Sequence, residues 1–177
     1  MDISLGKNST LFMHGRDVTL AIGSTLETKT DVFFTTKGTE PQAEVGKFFQ
    51  GPGEYEVQGV MVDGVATGPG LTSYHAIYDG VSLAAVTLHK SEDLTDEMLE
   101  HLQPANLLVL WLEEGSAQDV AQLMARFDAH QLIPAQIPGD IDTLEKELQL
   151  KVETVPKLKL AAKNYLDGTR LLTTLQS

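Results

Sequence analysis

The sequence predicts an α/β (α+β) fold in which two sheets pack face to face with helices outside. Three observations point there. The first half is a series of short β-rich runs broken by turn residues. The second half alternates apolar runs with segments of helical period. The composition, 42% hydrophobic and 21% charged over 177 residues, is that of a globular chain able to bury a core without covalent staples. Two sheets that cover each other's inner faces satisfy both halves. A single mixed sheet with helices on one side is the competing layout. The length suits one domain over residues 1–177.

The elements follow in order. Ser9 to His14 and Asp17 to Ile22 flank Gly15-Arg16, a two-residue hairpin loop. Asp31 to Thr36, with Val32, Phe33 and Phe34 together, reads as a strand buried on both faces. Gly51-Pro52-Gly53 is a turn, and Glu54-Tyr55-Glu56-Val57 after it alternates as a half-buried strand does. Val60 and Val62 continue the alternation up to Asp63-Gly64. Tyr74 to Tyr78 and Val81 to Leu88 flank Asp79-Gly80, the strongest short hairpin signal in the chain. Thr95 caps a helix that opens with Asp96 and Glu97, both suited to its positive end. Met98, Leu99 and Leu102 form its apolar stripe. Asn106 to Leu112 is a central strand. Ser116 caps the next helix, whose Val120, Leu123, Met124 and Phe127 recur at helical spacing. Leu132-Ile133-Pro134 is a short strand. Asp142-Thr143-Leu144-Glu145 resembles a capping box with Asp142 as the cap, Leu144 and Leu148 turn inward, and Val152 to Val155 returns as a strand. Strand and helix alternating in this way imply right-handed crossovers over a partly parallel sheet. Lys157 to Leu160 alternates and suits an edge strand.

Charge and composition exclude several functions. The net charge of −12 leaves no basic footprint for nucleic acid or anionic lipid. With no cysteine, thiolate catalysis, iron–sulfur clusters and zinc–thiolate sites are all out of reach. The segment Met1 to Gly6 carries no basic stretch followed by an apolar run, and Leu107 to Leu112 is far too short to span a bilayer. A cytoplasmic setting is expected.

The run Gly51-Pro52-Gly53-Glu54-Tyr55-Glu56-Val57-Gln58-Gly59-Val60 resembles a motif of the small, lactonase-like Zn-dependent hydrolases of the metallo-β-lactamase superfamily. Other stretches resemble that family in the same order: Leu5 to Ser9 the opening strand, Asp31 to Thr36 the strand before the metal loop, and Leu94 to Leu99 the helix after its G-D-x-x-H segment. Asn106 to Leu112 resembles the buried strand that follows, and Ile133-Pro134-Ala135-Gln136 the late I-P-M-H strand end. The resemblance runs over about residues 1–137. It implies an αββα two-sheet sandwich of metallo-β-lactamase type.

The departures from the family bear on function. Its H-x-H-x-D-H metal loop corresponds here to Lys37-Gly38-Thr39-Glu40-Pro41-Gln42, so the ligand positions hold Lys37, Thr39, Pro41 and Gln42. The bridging Asp falls near His89, its His partner at Glu92, the late His at Gln136 and the opening His at Lys7. No histidine lies between His14 and His75, so no small shift of register restores the ligands. Metal-assisted hydrolysis needs imidazoles and carboxylates converging on the ions, and a lysine ammonium there opposes a cation. The vestigial pocket is thus Lys37, Thr39, Gln42, His89, Glu92 and Gln136, with no metal and no cofactor expected.

Other candidates have plainer readings. His14 precedes a turn and reads as surface; His101 and His130 fall near helix C-termini; His75 lies on a strand. Glu54 and Glu56 share one strand face and read as solvated. Neither Gly51-Pro52-Gly53 nor Gly68-Pro69-Gly70 opens a helix, so neither cradles phosphate. Trp111 belongs to the core and needs a partner for its indole N–H, while Glu113-Glu114 reads as a solvated loop. The expected role is binding a partner protein or small ligand, or assembly as a homo-oligomer. The alternative is a divergent metal-dependent hydrolase, lactonase- or phosphoesterase-like, using His89 and Glu92 with Lys37 stabilising an oxyanion.

Overall fold

A computed structural model describes residues 1–160 and 169–176. Two mixed sheets face each other. The first is built from β1 (Asp2–Leu5), β2 (Leu11–His14), β3 (Thr19–Gly23), β4 (Thr30–Thr35) and β5 (Val45–Gln50). The second begins with β6 (Gly53–Val57), β7 (Val60–Gly68), β8 (Leu71–Tyr78) and β9 (Val81–Leu88). It continues through α1 (Asp96–His101), β10 (Leu107–Leu112), α2 (Ala117–Arg126), β11 (Gln131–Gln136), α3 (Ile141–Leu148) and β12 (Val152–Val155). Then β13 (Leu158–Lys159) returns to the first sheet and β14 (Leu171–Leu175) to the second. The strand orders are β13-β1-β2-β3-β4-β5 and β12-β14-β11-β10-β9-β8-β7-β6.

The sandwich is the layout adopted, and a single mixed sheet is not. The apolar layer between the sheets joins Ile3, Leu11, Met13, Leu20, Ile22, Val32 and Phe34 of the first to Val62, Tyr74, Leu83, Val109, Trp111 and Ile133 of the second. β10 shows why one strand reads as an unbroken apolar run. Leu107, Val109 and Trp111 face the other sheet, while Leu108, Leu110 and Leu112 face α1 to α3. From β9 onward the second sheet is parallel, as the strand–helix alternation requires.

The first half is less antiparallel than its turn signals suggest. β3, β4 and β5 run parallel, although no helix joins them. The crossovers, residues 24–29 and 36–44, pass over the outer face of the first sheet. There fully buried Leu26 and half-buried Ala43 pack on Phe12, Ala21 and Phe33. Among the described residues, the α-helices α1 to α3 all lie on the second sheet.

Two local expectations are corrected. The strand from Val60 does not stop at Asp63-Gly64 but runs on to Gly68. Gly64 is there because the chain comes close: a Cβ on it would lie 2.9 Å from the Gly51 carbonyl oxygen and 3.0 Å from the Tyr74 ring. The cap of α3 is Asp140, whose side chain accepts from the Thr143 N–H, and Asp142 falls inside the first turn. Pro134 has no N–H for the ladder, and beside it the β10–β11 register shifts so that Trp111 pairs with Gln136. That shift helps to bring the end of β11 to the mouth of the sandwich.

Candidate functional site at the mouth of the sandwich

The C-terminal ends of β4, β9, β10 and β11 open on one rim, and the sequence just beyond them supplies the site. Two backbone bonds extend the β9–β10 ladder past the strands: Glu113 N–H donates to the Leu88 carbonyl at 3.1 Å, and Glu114 N–H to the His89 carbonyl at 2.8 Å. His89 and Glu113 therefore stand side by side. From the opposite sheet, the Thr35 hydroxyl accepts from the N–H groups of Lys37 and Thr39 at 3.3 and 3.1 Å and so shapes the loop after β4. Thr72 N–H donates to the Thr36 carbonyl at 2.9 Å, sewing that loop to the second sheet.

The result is one ionic cluster. Lys37 Nζ donates to Glu113 Oε1, and His89 Nδ1 bonds to Glu113 Oε2. The carboxylate is the less exposed partner, its side chain 27% accessible against 42% for Lys37 and 41% for His89. The Lys37 bond holds the Glu113 carboxyl below the usual carboxylate range; partial burial opposes this and the His89 bond reinforces it. Gly68 closes the rim from the β7–β8 turn, where a Cβ would lie 3.5 Å from His89 Cδ2.

Behind the cluster the space is filled. Tyr74, fully buried, donates its hydroxyl to the Thr35 carbonyl at 2.7 Å, and burial pushes its ionisation up, far out of the physiological range. Trp111 finds its indole partner in the Ser9 carbonyl at 2.9 Å. Thr67, Ser73 and Thr87 form a buried hydroxyl group: Thr67 donates to the Thr87 carbonyl at 2.7 Å and Thr87 N–H donates to Ser73 at 2.9 Å. The Thr87 hydroxyl itself is buried without a hydrogen-bond partner. It adjoins a cavity of about 20 Å³, lined also by Ser24, Lys37, Trp111, Glu113 and Gln136. That is the scale of one water; small-molecule sites run to hundreds of Å³.

Of the vestigial-pocket residues, Lys37 and Gln136 line this cavity and His89 joins through Glu113. Thr39 and Gln42 are exposed on the loop after β4. Glu92 does not face His89: it lies in a separate surface depression with Lys90, Glu114 and Asp119. The carboxylate on His89 is that of Glu113, which the sequence presents as part of a solvated loop; a side chain just past a buried parallel strand, on the same rim as His89, was the available clue. His14 is half-buried beside Phe12 and its pKa is lowered, chiefly by that burial. His75 bonds to Ser82 and to the Pro104 carbonyl on the outer face of the second sheet.

No protein-family model and no curated protein matches the chain in sequence. Solved structures match throughout its length. A protein of Thermotoga maritima, provisionally named a Zn-dependent hydrolase of the metallo-β-lactamase superfamily, superposes with a TM-score of 0.79 at 16% identity, over 99% of both chains. The metallo-β-lactamase fold protein YhfI of Bacillus subtilis gives 0.62 at 9% identity, over 99% of this chain and 97% of its own. The chain has the metallo-β-lactamase fold.

A provisionally named metal-dependent hydrolase of Parabacteroides distasonis, at a TM-score of 0.65 and 13% identity, agrees over 98% of this chain and 93% of its own. The zinc that one of these names implies does not fit the metallo-β-lactamase-fold rim described here. His89 and Glu113 offer one imidazole and one carboxylate, and an ammonium is already bonded to that carboxylate. Among the described residues, no group of three or more His, Asp or Glu side chains is placed to hold an ion. No described helix is long and apolar enough to cross a membrane.

Proposed function

We propose that this metallo-β-lactamase-fold chain is a metal-free, non-hydrolytic member of the fold that acts in the cytoplasm by binding another protein. The observation that carries this reading is the Lys37–Glu113–His89 cluster. Lys37 supplies a built-in cation where the family resemblance puts an ion, and the Glu113 carboxylate is bonded both to it and to His89 Nδ1. The narrow mouth supports the same reading, since the cavity behind the cluster, about 20 Å³, is on the scale of one water. The hydrolase alternative needs His89 and Glu92 to act together, and they do not share a depression.

The test is metal content and metal response. Protein purified without chelator or His-tag should carry well under one zinc, manganese or iron per chain. Adding zinc or manganese, or removing divalent ions with EDTA, should leave the melting temperature unchanged, because an ion bound only to the native state would raise it. Near-stoichiometric metal, or a saturable rise in Tm with zinc, overturns the proposal.

A further inference from the structure

The second sheet has an outer face that its own helices cover only in part. Along β7, Val60, Val62 and Gly64 turn inward, while Met61 and Asp63 turn out; along β8, Tyr74, Ala76 and Tyr78 turn in, while His75 and Ile77 turn out. The pairing register stacks these outward residues in two rows across three strands, Glu54–Asp63–His75 and Glu56–Met61–Ile77. Helix α1 reaches β7, where Met98 and Leu99 pack near Val65, and His101 of its last turn comes within 3.6 Å of the Asp63 carboxylate. There the helical layer ends. Beyond it lies a concavity of about 460 Å³ lined by both rows.

Its chemistry is mixed in a definite way. Met61 is 53% and Ile77 37% exposed, two of the three large apolar side chains so exposed among the described residues. Glu54 and Glu56 are exposed beside them and Asp63 is partly so, and no lysine or arginine lines the depression. An apolar centre with a carboxylate rim suits a partner that brings apolar side chains flanked by cations. The width suits a helix. Strands about 4.8 Å apart place β6 and β8 about 10 Å apart, close to the diameter of one helix. Burial of the same sheet's outer face elsewhere is by helices.

We infer that this face docks a basic amphipathic α-helix of a partner protein, which continues the layer begun by α1. The apolar stripe of that helix covers Met61 and Ile77, and its lysines or arginines meet Glu54, Glu56 and Asp63. A second copy of this chain does not fit. A two-fold contact would set the same three carboxylates against themselves, in a chain of net charge −12.

The probe is a fluorescently labelled, capped Leu/Lys amphipathic helix of about five turns, titrated with the full chain and read by anisotropy at about 0.1 M salt. Saturable binding is expected, with a Leu/Glu helix of the same pattern failing to bind. Charge reversal in Glu54→Lys/Glu56→Lys should raise Kd about tenfold or more. The equal reversal Glu147→Lys/Glu153→Lys, on α3 and on β12 at the other end of the sheet, should change it less than about twofold. Met61→Asp should also weaken binding, although added negative charge by itself would tighten it. Near-UV circular dichroism and Tm establish that each variant is folded. The inference fails if the Leu/Lys helix does not saturate, if the remote pair loses as much affinity as the patch pair, or if Met61→Asp tightens binding. It also fails if the chain dimerises and Met61→Asp abolishes the dimer, which would assign the face to self-association.

Discussion

Replacing Glu113 by Gln keeps the shape of the side chain and removes the charge on which the rim depends. In the native protein that carboxylate accepts from Lys37, on a loop of the first sheet, and from His89, on the end of a second-sheet strand. The three side chains are 27%, 42% and 41% exposed. A fully exposed pair contributes ~0.2–1 kcal/mol and a charge-assisted bond shielded from water ~1.5–3 kcal/mol. At this intermediate exposure, with solvent screening discounted, the loss from Glu113→Gln is about 1–2 kcal/mol at pH 7. For a chain of this length that lowers Tm by roughly 2–8 °C. The pH dependence has a definite sign. The Glu113 carboxyl is held below its ordinary value of 4.5 in the folded state, so its contribution is complete above that value and is lost as pH falls through the folded pKa. The wild-type and Glu113→Gln melting curves therefore converge in acid, and their separation at pH 7 shrinks in high salt. A double-mutant cycle with Lys37→Met should return a coupling of about 0.5 kcal/mol or more. Equal stabilities at pH 7, or a difference that persists unchanged into acid, would refute the cluster as a link between the sheets.

Tyr74→Phe removes the buried hydroxyl bond to the Thr35 carbonyl, so chemical denaturation should show a loss of about 1–2 kcal/mol; an unchanged midpoint would mean that the bond contributes nothing. Thr87→Val replaces an unpartnered buried hydroxyl by a methyl and should raise stability by about 1 kcal/mol, whereas a loss would show that the hydroxyl has a bonding partner in solution. Asp140→Ala should lower Tm through the lost cap of α3, while Asp142→Ala should leave it nearly unchanged; the reverse order would return the cap to Asp142.

Local chemistry was readable wherever a few neighbouring residues decide the outcome. Asp79 and Gly80 take up positive φ, 49° and 75°, as a tight hairpin of this kind demands. Thr95 and Ser116 cap their helices because their hydroxyls reach the N–H three residues on, at Met98 and Asp119. The apolar run of β10 identified itself because both of its faces are covered. β5 gives no such signal: along Val45–Gln50 the half-buried residues are Val45, Phe48 and Phe49 and the rest are exposed, without the strict alternation of a half-buried strand. β14 is likewise silent in the sequence: Leu171-Leu172-Thr173-Thr174-Leu175 alternates poorly, and the strand is held by pairing with strands distant in the chain.

Asp63-Gly64 and Asp140/Asp142 mark the boundary of such reading. A glycine demanded by a close approach looks, along the chain, like one demanded by a turn, and only the nearness of Gly51 and Tyr74 tells them apart. The candidate site divides in the same way. The sequence alone shows that the loop after β4 reads Lys37-Gly38-Thr39-Glu40-Pro41-Gln42 and carries no histidine, because that depends on residue type. Tertiary structure alone decided that Lys37, His89 and Glu113 become partners. They are separated by 76 and 24 residues, and they meet only because parallel strands of one sheet end on the rim that faces a loop of the other.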